Sequence, residues 1–256
     1  MTRIAITGAL GRMGTLVIQE AVRSPDMQIV AGLDAVGAGR MLSAGIAVRD
    51  ASELRAALQE SRPDVLIDFT VADAAVENVC TAAEVGVDLV VGTTGFSADQ
   101  HSRMREAIEG RVAAVITPNF SVGVNVFWKL VGQAAAALQD YDIEIIEAHH
   151  NQKKDAPSGT ALAAVQAIKQ AVGERDVVYG RQGVMARGNE IGVHAVRAGD
   201  IVGDHTVLFA GPGERLEIKH QAHSRAAFAS GAVRAARWVR GKEPGIYSMA
   251  DVLQSR

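Results

Sequence analysis

Cysteine is almost missing from this sequence. The single Cys80 allows no intrachain disulfide, and the expected compartment is reducing and cytoplasmic. Positive charge is not in excess either. The formal net charge is -3 at pH 7, which offers no basic field to nucleic acid or to a membrane surface. Acidic small molecules are not excluded, because a local cluster can bind them against the overall sign. No apolar run approaches the roughly 20 residues needed to cross a bilayer. The opening M-T-R-I-A-I-T-G enters a strand directly, without a signal-peptide pattern. There is no internal repeat, no low-complexity tract and no G-x-S-x-G nucleophile elbow. No metal is expected, since no third ligand stands at zinc spacing from the histidines. What remains is 256 residues, 48% hydrophobic and 21% charged, with 26 glycines. That is an ordinary globular composition, with room for two modest domains or one large one.

Residues 3–7 read as a strand, followed by G-A-L-G-R-M-G and then by helical character through Leu16, Val17, Glu20 and Ala21. Strand, glycine turn and helix is the context in which such glycines bind a dinucleotide. Gly8 permits the tight turn, Gly11 lets the backbone approach a pyrophosphate, and Gly14 lets helix and strand pack closely. The helix amino terminus then offers free N–H groups to phosphate. The spacing, G-x-x-G-x-x-G, is a variant of the commoner fingerprint, and a plain strand-to-helix turn remains the alternative. A second strand at 28–33 ends on Asp34, about 20 residues beyond the turn, where a carboxylate bonds the adenosine ribose. Ala35 follows it rather than a cation. This favours NADH over NADPH, although Arg12 and Arg40 could reach a 2′-phosphate.

Further strands are expected at 64–69, 88–91 and 111–116, alternating with helices at 52–60, 71–85 and 97–109. The last opens on a capping box, Ser97 with Gln100. Alternation of this kind predicts an α/β fold, a Rossmann-type doubly wound parallel sheet with ligands beyond the strand carboxyl ends. Four segments fall on that rim and form the expected cofactor site. They are Gly8, Ala9, Leu10, Gly11, Arg12 and Met13; Asp34; Gly92, Thr93 and Thr94; and Ile116, Thr117, Pro118 and Asn119. G-T-T-G-F at 92–96 is either a helix-entry loop or a floor for the nicotinamide. This domain spans 1–121 and is completed by 226–256, with helices at 225–240 and 248–253. A helix at 123–138 opens the second domain, 122–225. Strands there at 142–148, 190–197, 205–210 and 216–223, with an irregular stretch at 169–187, predict an α+β domain with a mixed or antiparallel sheet. One broad sheet face suits pairing with other copies, so an oligomer is expected.

Residues 147–161 read E-A-H-H-N-Q-K-K-D-A-P-S-G-T-A. His149 and His150 end a strand and point to opposite faces if extended. Histidine is suited to giving a proton near neutral pH. One of the pair would face a reacting carbon and the other a carboxylate, or both serve the fold. Lys153 either lies in a solvated turn or neutralises an anion beside His149. Ser158 caps a helix whose buried stripe is expected to be Leu162, Val165, Ile168 and Val172. The N–H groups of Gly159 and Thr160 then suit a carboxylate, unless the cap is only a cap.

The 147–161 segment closely resembles the signature of the dihydrodipicolinate reductase family, the 4-hydroxy-tetrahydrodipicolinate reductases of lysine and diaminopimelate synthesis. G-A-L-G-R-M-G, V-G-T-T-G-F, P-N-F-S-V-G-V-N, V-R-A-G-D-I-V-G-D-H-T and S-R-A-A-F-A-S-G-A-V-R-A-A resemble the family's other blocks, in its order, over essentially the whole chain. The resemblance implies that His149 is the acid–base residue and Lys153 a second proton donor or anion partner. It implies that His150, Gly159 and Thr160 hold a cyclic dicarboxylate. NADH or NADPH, a homotetramer built through the second domain, and a hinge are implied as well. Ala35 departs from members carrying arginine there, which leaves the nucleotide preference open. The rival expectations are another nicotinamide-dependent dehydrogenase on the same plan and a non-catalytic nucleotide sensor. A semialdehyde dehydrogenase would need a cysteine nucleophile, and Cys80 lies mid-helix in the first domain.

Overall fold

A computed structural model describes residues 1–254. The chain begins with β1 (Thr2–Thr7), α1 (Arg12–Arg23), β2 (Met27–Asp34) and a two-residue β3 (Arg49–Asp50). It continues through α2 (Leu54–Ser61), β4 (Val65–Asp68), α3 (Ala72–Glu84), β5 (Asp88–Val91), α4 (Ala98–Ile108) and β6 (Ala113–Ile116). It then enters α5 (Val122–Ala137), β7 (Asp142–His149), α6 (Gly159–Val172) and β8 (Val177–Tyr179), followed by β9 (Ile191–Arg197), β10 (Gly203–Gly211) and β11 (Glu214–Ala222). It ends with α7 (Ala226–Val239), β12 (Gly245–Tyr247) and α8 (Met249–Gln254). Two compact units result: Met1–Val122 together with the chain from Ala226 onward, and Gly123–Arg225.

The first unit is built on a seven-stranded sheet in the order β12-β6-β5-β4-β1-β2-β3, with every pairing parallel. Parallel sheets need cover on both faces, so their strands are apolar almost without break. Val65, Leu66 and Ile67 of β4 are accordingly all fully buried. One face packs on α1, α7 and α8, and the other on α2, α3 and α4. From β1 the chain winds outward through β2 and β3, then restarts at β4 on the other side. The gap between the ends of β1 and β4 is therefore the topological switch point, where this architecture binds ligands. The capping box at Ser97 forms as its spacing predicts, with both reciprocal bonds to Gln100.

The second unit carries a five-stranded sheet in the order β11-β10-β7-β9-β8. β10 is antiparallel to β11 and β7, whereas β9 is parallel to β7 and β8, so the sheet is mixed. Phe127 and Val131 of α5 and Val165 and Ile168 of α6 cover one face, against Ile143, Ile145, Val207 and Phe209. Two local expectations change. Residues 169–172 stay helical and a short strand follows, where irregular chain is expected. Leu162 is 41% exposed, and the buried stripe of α6 runs instead through Ala161, Ala164, Val165 and Ile168. The small alanines face inward and let the helix lie close to the sheet, which turns the larger Leu162 outward. Among the described residues no helix is long and apolar enough to cross a membrane.

Candidate active site

The switch point of the first unit holds a cleft of about 310 Å³, lined by Gly8, Gly11, Asp34, Thr70 and Asn78 among others. Gly8 has φ 71°, in the left-handed region that glycine enters without strain. A Cβ on Gly14 would lie 2.0 Å from the Gly8 carbonyl oxygen, so only glycine lets α1 sit this tightly on the turn. Gly11 is the N-cap of α1 and supplies no side-chain cap. The first N–H groups of the helix have no intrahelical partner and suit a phosphate. Asp34, at the end of β2, accepts from the Leu10 N–H at 2.9 Å and the Val36 N–H at 3.3 Å. A carboxylate can accept about four hydrogen bonds, which leaves capacity for a ribose diol. These features fit a dinucleotide.

Asp68, fully buried at the end of β4, organises the rim beside the cleft. Its carboxylate accepts from Thr7 Oγ1, Asn78 Nδ2 and Thr93 Oγ1, each at 2.7 Å, and from Thr70 Oγ1 at 3.0 Å. It thereby ties together the carboxyl ends of β1, β4 and β5. The hydroxyl of Thr93 is engaged with Asp68 and with the Thr70 N–H. A Cβ on Gly92 would lie 2.0 Å from the ring of Phe69, and Phe69 meets Phe120 edge-on at 5.8 Å. Beyond β6, Thr117 Oγ1 donates to the Asn119 carbonyl at 3.2 Å, and Asn119 Oδ1 accepts from the Ser121 N–H at 2.8 Å. Of the expected cofactor residues, Gly8, Gly11 and Asp34 line the cleft. Ala9 and Leu10 form its turn, Arg12 and Met13 open α1, Gly92, Thr93 and Thr94 follow β5, and Ile116 ends β6 with 117–119 after it on the same rim.

In the second unit the covered face of β7 changes character along its length. Ile143 and Ile145 enter the apolar core, and Glu147 and His149 continue the same face. Glu147 is fully buried. Its Oε2 lies 2.6 Å from His149 Nδ1 and accepts from Arg197 Nη1 at 2.8 Å. Its Oε1 accepts from Arg197 Nη2 at 2.8 Å and the Ser158 N–H at 2.9 Å. An ionised carboxylate only accepts, so the hydrogen of His149 sits on Nδ1 and its Nε2 is left for exchange. His205 lies directly across from Glu147 on β10. Its ring meets that of His149 at 5.1 Å and 75°, and its Nε2 lies 3.0 Å from Ser158 Oγ. Ser158 Oγ also caps α6 by accepting from the Ala161 N–H. Gly159 and Thr160 begin that helix, and Trp128 Nε1 donates to the Thr160 carbonyl at 3.0 Å. His150 lies just past the strand, its Nε2 3.4 Å from Arg225 Nη2. Lys153 Nζ donates to both oxygens of Asp155, at 2.9 and 2.8 Å.

Burial works against the charge on Glu147. Its bonds to His149, Arg197 and the Ser158 amide outweigh that and hold its carboxyl at about 2. Burial, together with the neighbouring His149, pushes His205 down to about 4. Both depressions make the folded chain bind fewer protons than the unfolded chain in acid, so stability falls as pH falls. The His205 contribution is lost between its unfolded value of 6.5 and about 4, and that of Glu147 between 4.5 and about 2. Lowering the pH from 7 to 5 is expected to reduce the unfolding free energy by on the order of 2 kcal/mol through His205 alone. Urea midpoints of the full chain at the two pH values test this, and replacing His205 with asparagine should flatten the difference.

Glu147, Arg197, His205 and Asp68 carry no role that is legible in the sequence. Glu147 and His149 stand two apart on one strand, so period-2 alternation already places them on one face. Arg197 and His205 reach them only through the pairing of β7 with β9 and β10, and Asp68 announces itself only as a charge ending an apolar strand.

A dinucleotide-binding unit joined to a unit that buries a carboxylate-bound imidazole defines a nicotinamide-dependent dehydrogenase or reductase. Comparison with known proteins narrows that class. Residues 2–120 match the family described as dihydrodipicolinate reductase, N-terminus, and residues 123–253 match dihydrodipicolinate reductase, C-terminus. The chain belongs to the dihydrodipicolinate reductase family. It is 58% identical to the 4-hydroxy-tetrahydrodipicolinate reductase of Methanosarcina barkeri, over 99% of both chains. It is 54% identical to that of Methanothermobacter thermautotrophicus, again over 99% of each. Among solved structures it is similar to a dipicolinate-bound dihydrodipicolinate reductase from Paenisporosarcina sp. TG-14, with TM-score 0.81 and 28% identity over 97% of each chain.

Proposed function

We propose that this chain is a 4-hydroxy-tetrahydrodipicolinate reductase of lysine and diaminopimelate synthesis. One hydride and one proton are taken up, one water is lost, and the cyclic imino dicarboxylate leaves as tetrahydrodipicolinate. The observation that carries this reading is identity above one half, at full length, to reductases of that name. The cofactor, NADH or NADPH, supplies the hydride when bound. Gly8, Ala9, Leu10, Gly11, Arg12 and Met13 would hold its pyrophosphate, and Asp34 its ribose. Residues 92–94 and 116–119 would flank its nicotinamide half.

His149 is the acid–base residue, working through Nε2 while Glu147 fixes Nδ1. The substrate carboxylates are held by His150, by the Gly159 and Thr160 N–H groups and by Lys153. Two of the three ammonium donors of Lys153 are engaged by Asp155, and the third serves the anion. A dianion pinned at both carboxylates presents its ring in one orientation, which lowers the entropic part of the barrier. Loss of nicotinamide absorbance with enzymatically generated substrate tests the function. No oxidation of either nucleotide, with cofactor binding intact, would reject it.

NADH is the preferred nucleotide, because the Asp34 carboxylate accepts from ribose hydroxyls and repels a 2′-phosphate. Asp34→Asn is expected to raise the KM for NADH by about tenfold and that for NADPH by less. Steady-state KM values for both nucleotides measure it, and an unchanged NADH value would remove Asp34 from the ribose site. The working form is a cytoplasmic homotetramer assembled through the second unit. Ile146 and Val196, on the sheet face opposite α5 and α6, are 41% and 43% exposed in the single chain, which supports burial against other copies. Light scattering from a size-exclusion column would reject this by returning a monomer.

A further inference from the structure

We propose that Gly203 is a positioning residue for the reaction: its missing side chain keeps the Nε2 edge of His149 open to the reacting molecule. The inference rests on the reading of His149 as the acid–base residue.

The ring of His149 is held on its other sides. Nδ1 is bound to Glu147 Oε2 at 2.6 Å, and Glu147 is itself fastened by Arg197 and the Ser158 amide. The ring of His205 packs against it in a T-shaped pair with the centroids 5.1 Å apart, and the His149 carbonyl accepts from the Ala198 N–H at 2.9 Å. The imidazole therefore has little freedom to retreat from a new neighbour. Gly203 opens β10 on the same covered face as His205, Val207 and Phe209. A Cβ built there would lie 3.1 Å from His149 Nε2 and 3.4 Å from its Cδ2, with His205 Cε1 next at 3.8 Å. The three nearest heavy atoms thus all belong to these two rings.

Backbone conformation does not explain this glycine. Gly203 is absent from the positive-φ residues, and it pairs in ordinary antiparallel register with Ala222. Glycine inside a strand costs stability relative to alanine and commonly marks close approach by another group. Here the approaching group is the working nitrogen of His149, a residue that as a whole is only 8% exposed. A methyl group at 3.1 Å would occupy part of that small opening. It would press on a ring whose Glu147 bond resists tilting, and displacements of this size at a reacting group cost catalysis steeply.

The test is Gly203→Ala in the full-length enzyme, alone and combined with His149→Gln. Alone it is expected to lower kcat by about 10- to 100-fold. The KM for the dicarboxylate should stay within about threefold, and the solvent deuterium isotope effect on kcat should rise as proton transfer becomes limiting. NADH affinity and melting temperature should hold. On the His149→Gln background the alanine should add no further loss, because the two act through one imidazole. Turnover within about twofold of wild type, equal loss on both backgrounds, or failure of Gly203→Ala to fold would each overturn the proposal. If His149→Gln itself keeps its turnover, the acid–base reading fails instead, and the two failures are told apart.

Discussion

His149→Gln is expected to lower kcat by about 10²- to 10⁴-fold, the usual worth of a positioned general acid, with the KM for the dicarboxylate changing little. Glutamine keeps a polar side chain of similar reach and can still bond Glu147, so the neighbouring network should stay assembled. It cannot carry a proton and give it up near neutral pH. The split between kcat and KM is diagnostic, because an interaction needed only in the transition state lowers kcat without weakening substrate binding. Single-turnover measurements would separate the chemical step from product release. A variant retaining most of its turnover would take the acid–base role away from His149 and leave it a structural member of the cluster.

The second large effect concerns stability. Glu147 is fully buried and accepts four bonds, two from Arg197 and one each from His149 and the Ser158 amide. Glu147→Ala leaves the Arg197 guanidinium without its counter-charge and the Ser158 amide without its acceptor. Removing one member of a buried ion pair costs about 3–5 kcal/mol, which lowers the melting temperature by on the order of 10 °C in a chain of this size. Glu147→Gln keeps the shape and should cost less stability, yet it should still slow turnover because His149 loses its charged anchor. A melting temperature for Glu147→Ala within about 2 °C of wild type would show that the network contributes little to folding.

Periodicity makes much of the architecture legible. Near-continuous apolar strands alternating with helices predict the parallel sheet, and the strands at 142–148, 190–197 and 216–223 predict a second sheet. The local misses have separate causes. β8 and β12 are three residues each, too short to show any period, and Leu162 lies outside the buried stripe because α6 packs through alanines. The family signature locates the region of the chemistry without showing how it is held. His149 and Ser158 are visible in the sequence as a proton carrier and a cap. Nothing local says that both lean on Glu147.

Chain-local physics is enough for the glycine turn, the carboxylate at the end of β2, the cap at Ser158 and the order of strands and helices. Each depends on residues within one strand–helix–strand stretch of chain, where spacing and geometry are tied directly. Only the tertiary structure decided that Arg197 and His205 join Glu147 and His149, that Asp68 gathers Thr7, Asn78 and Thr93, and that Gly203 faces an imidazole. These contacts span from 10 to 61 positions of chain. They exist because strand register carries distant residues onto one face, and register is set by the packing of the whole sheet.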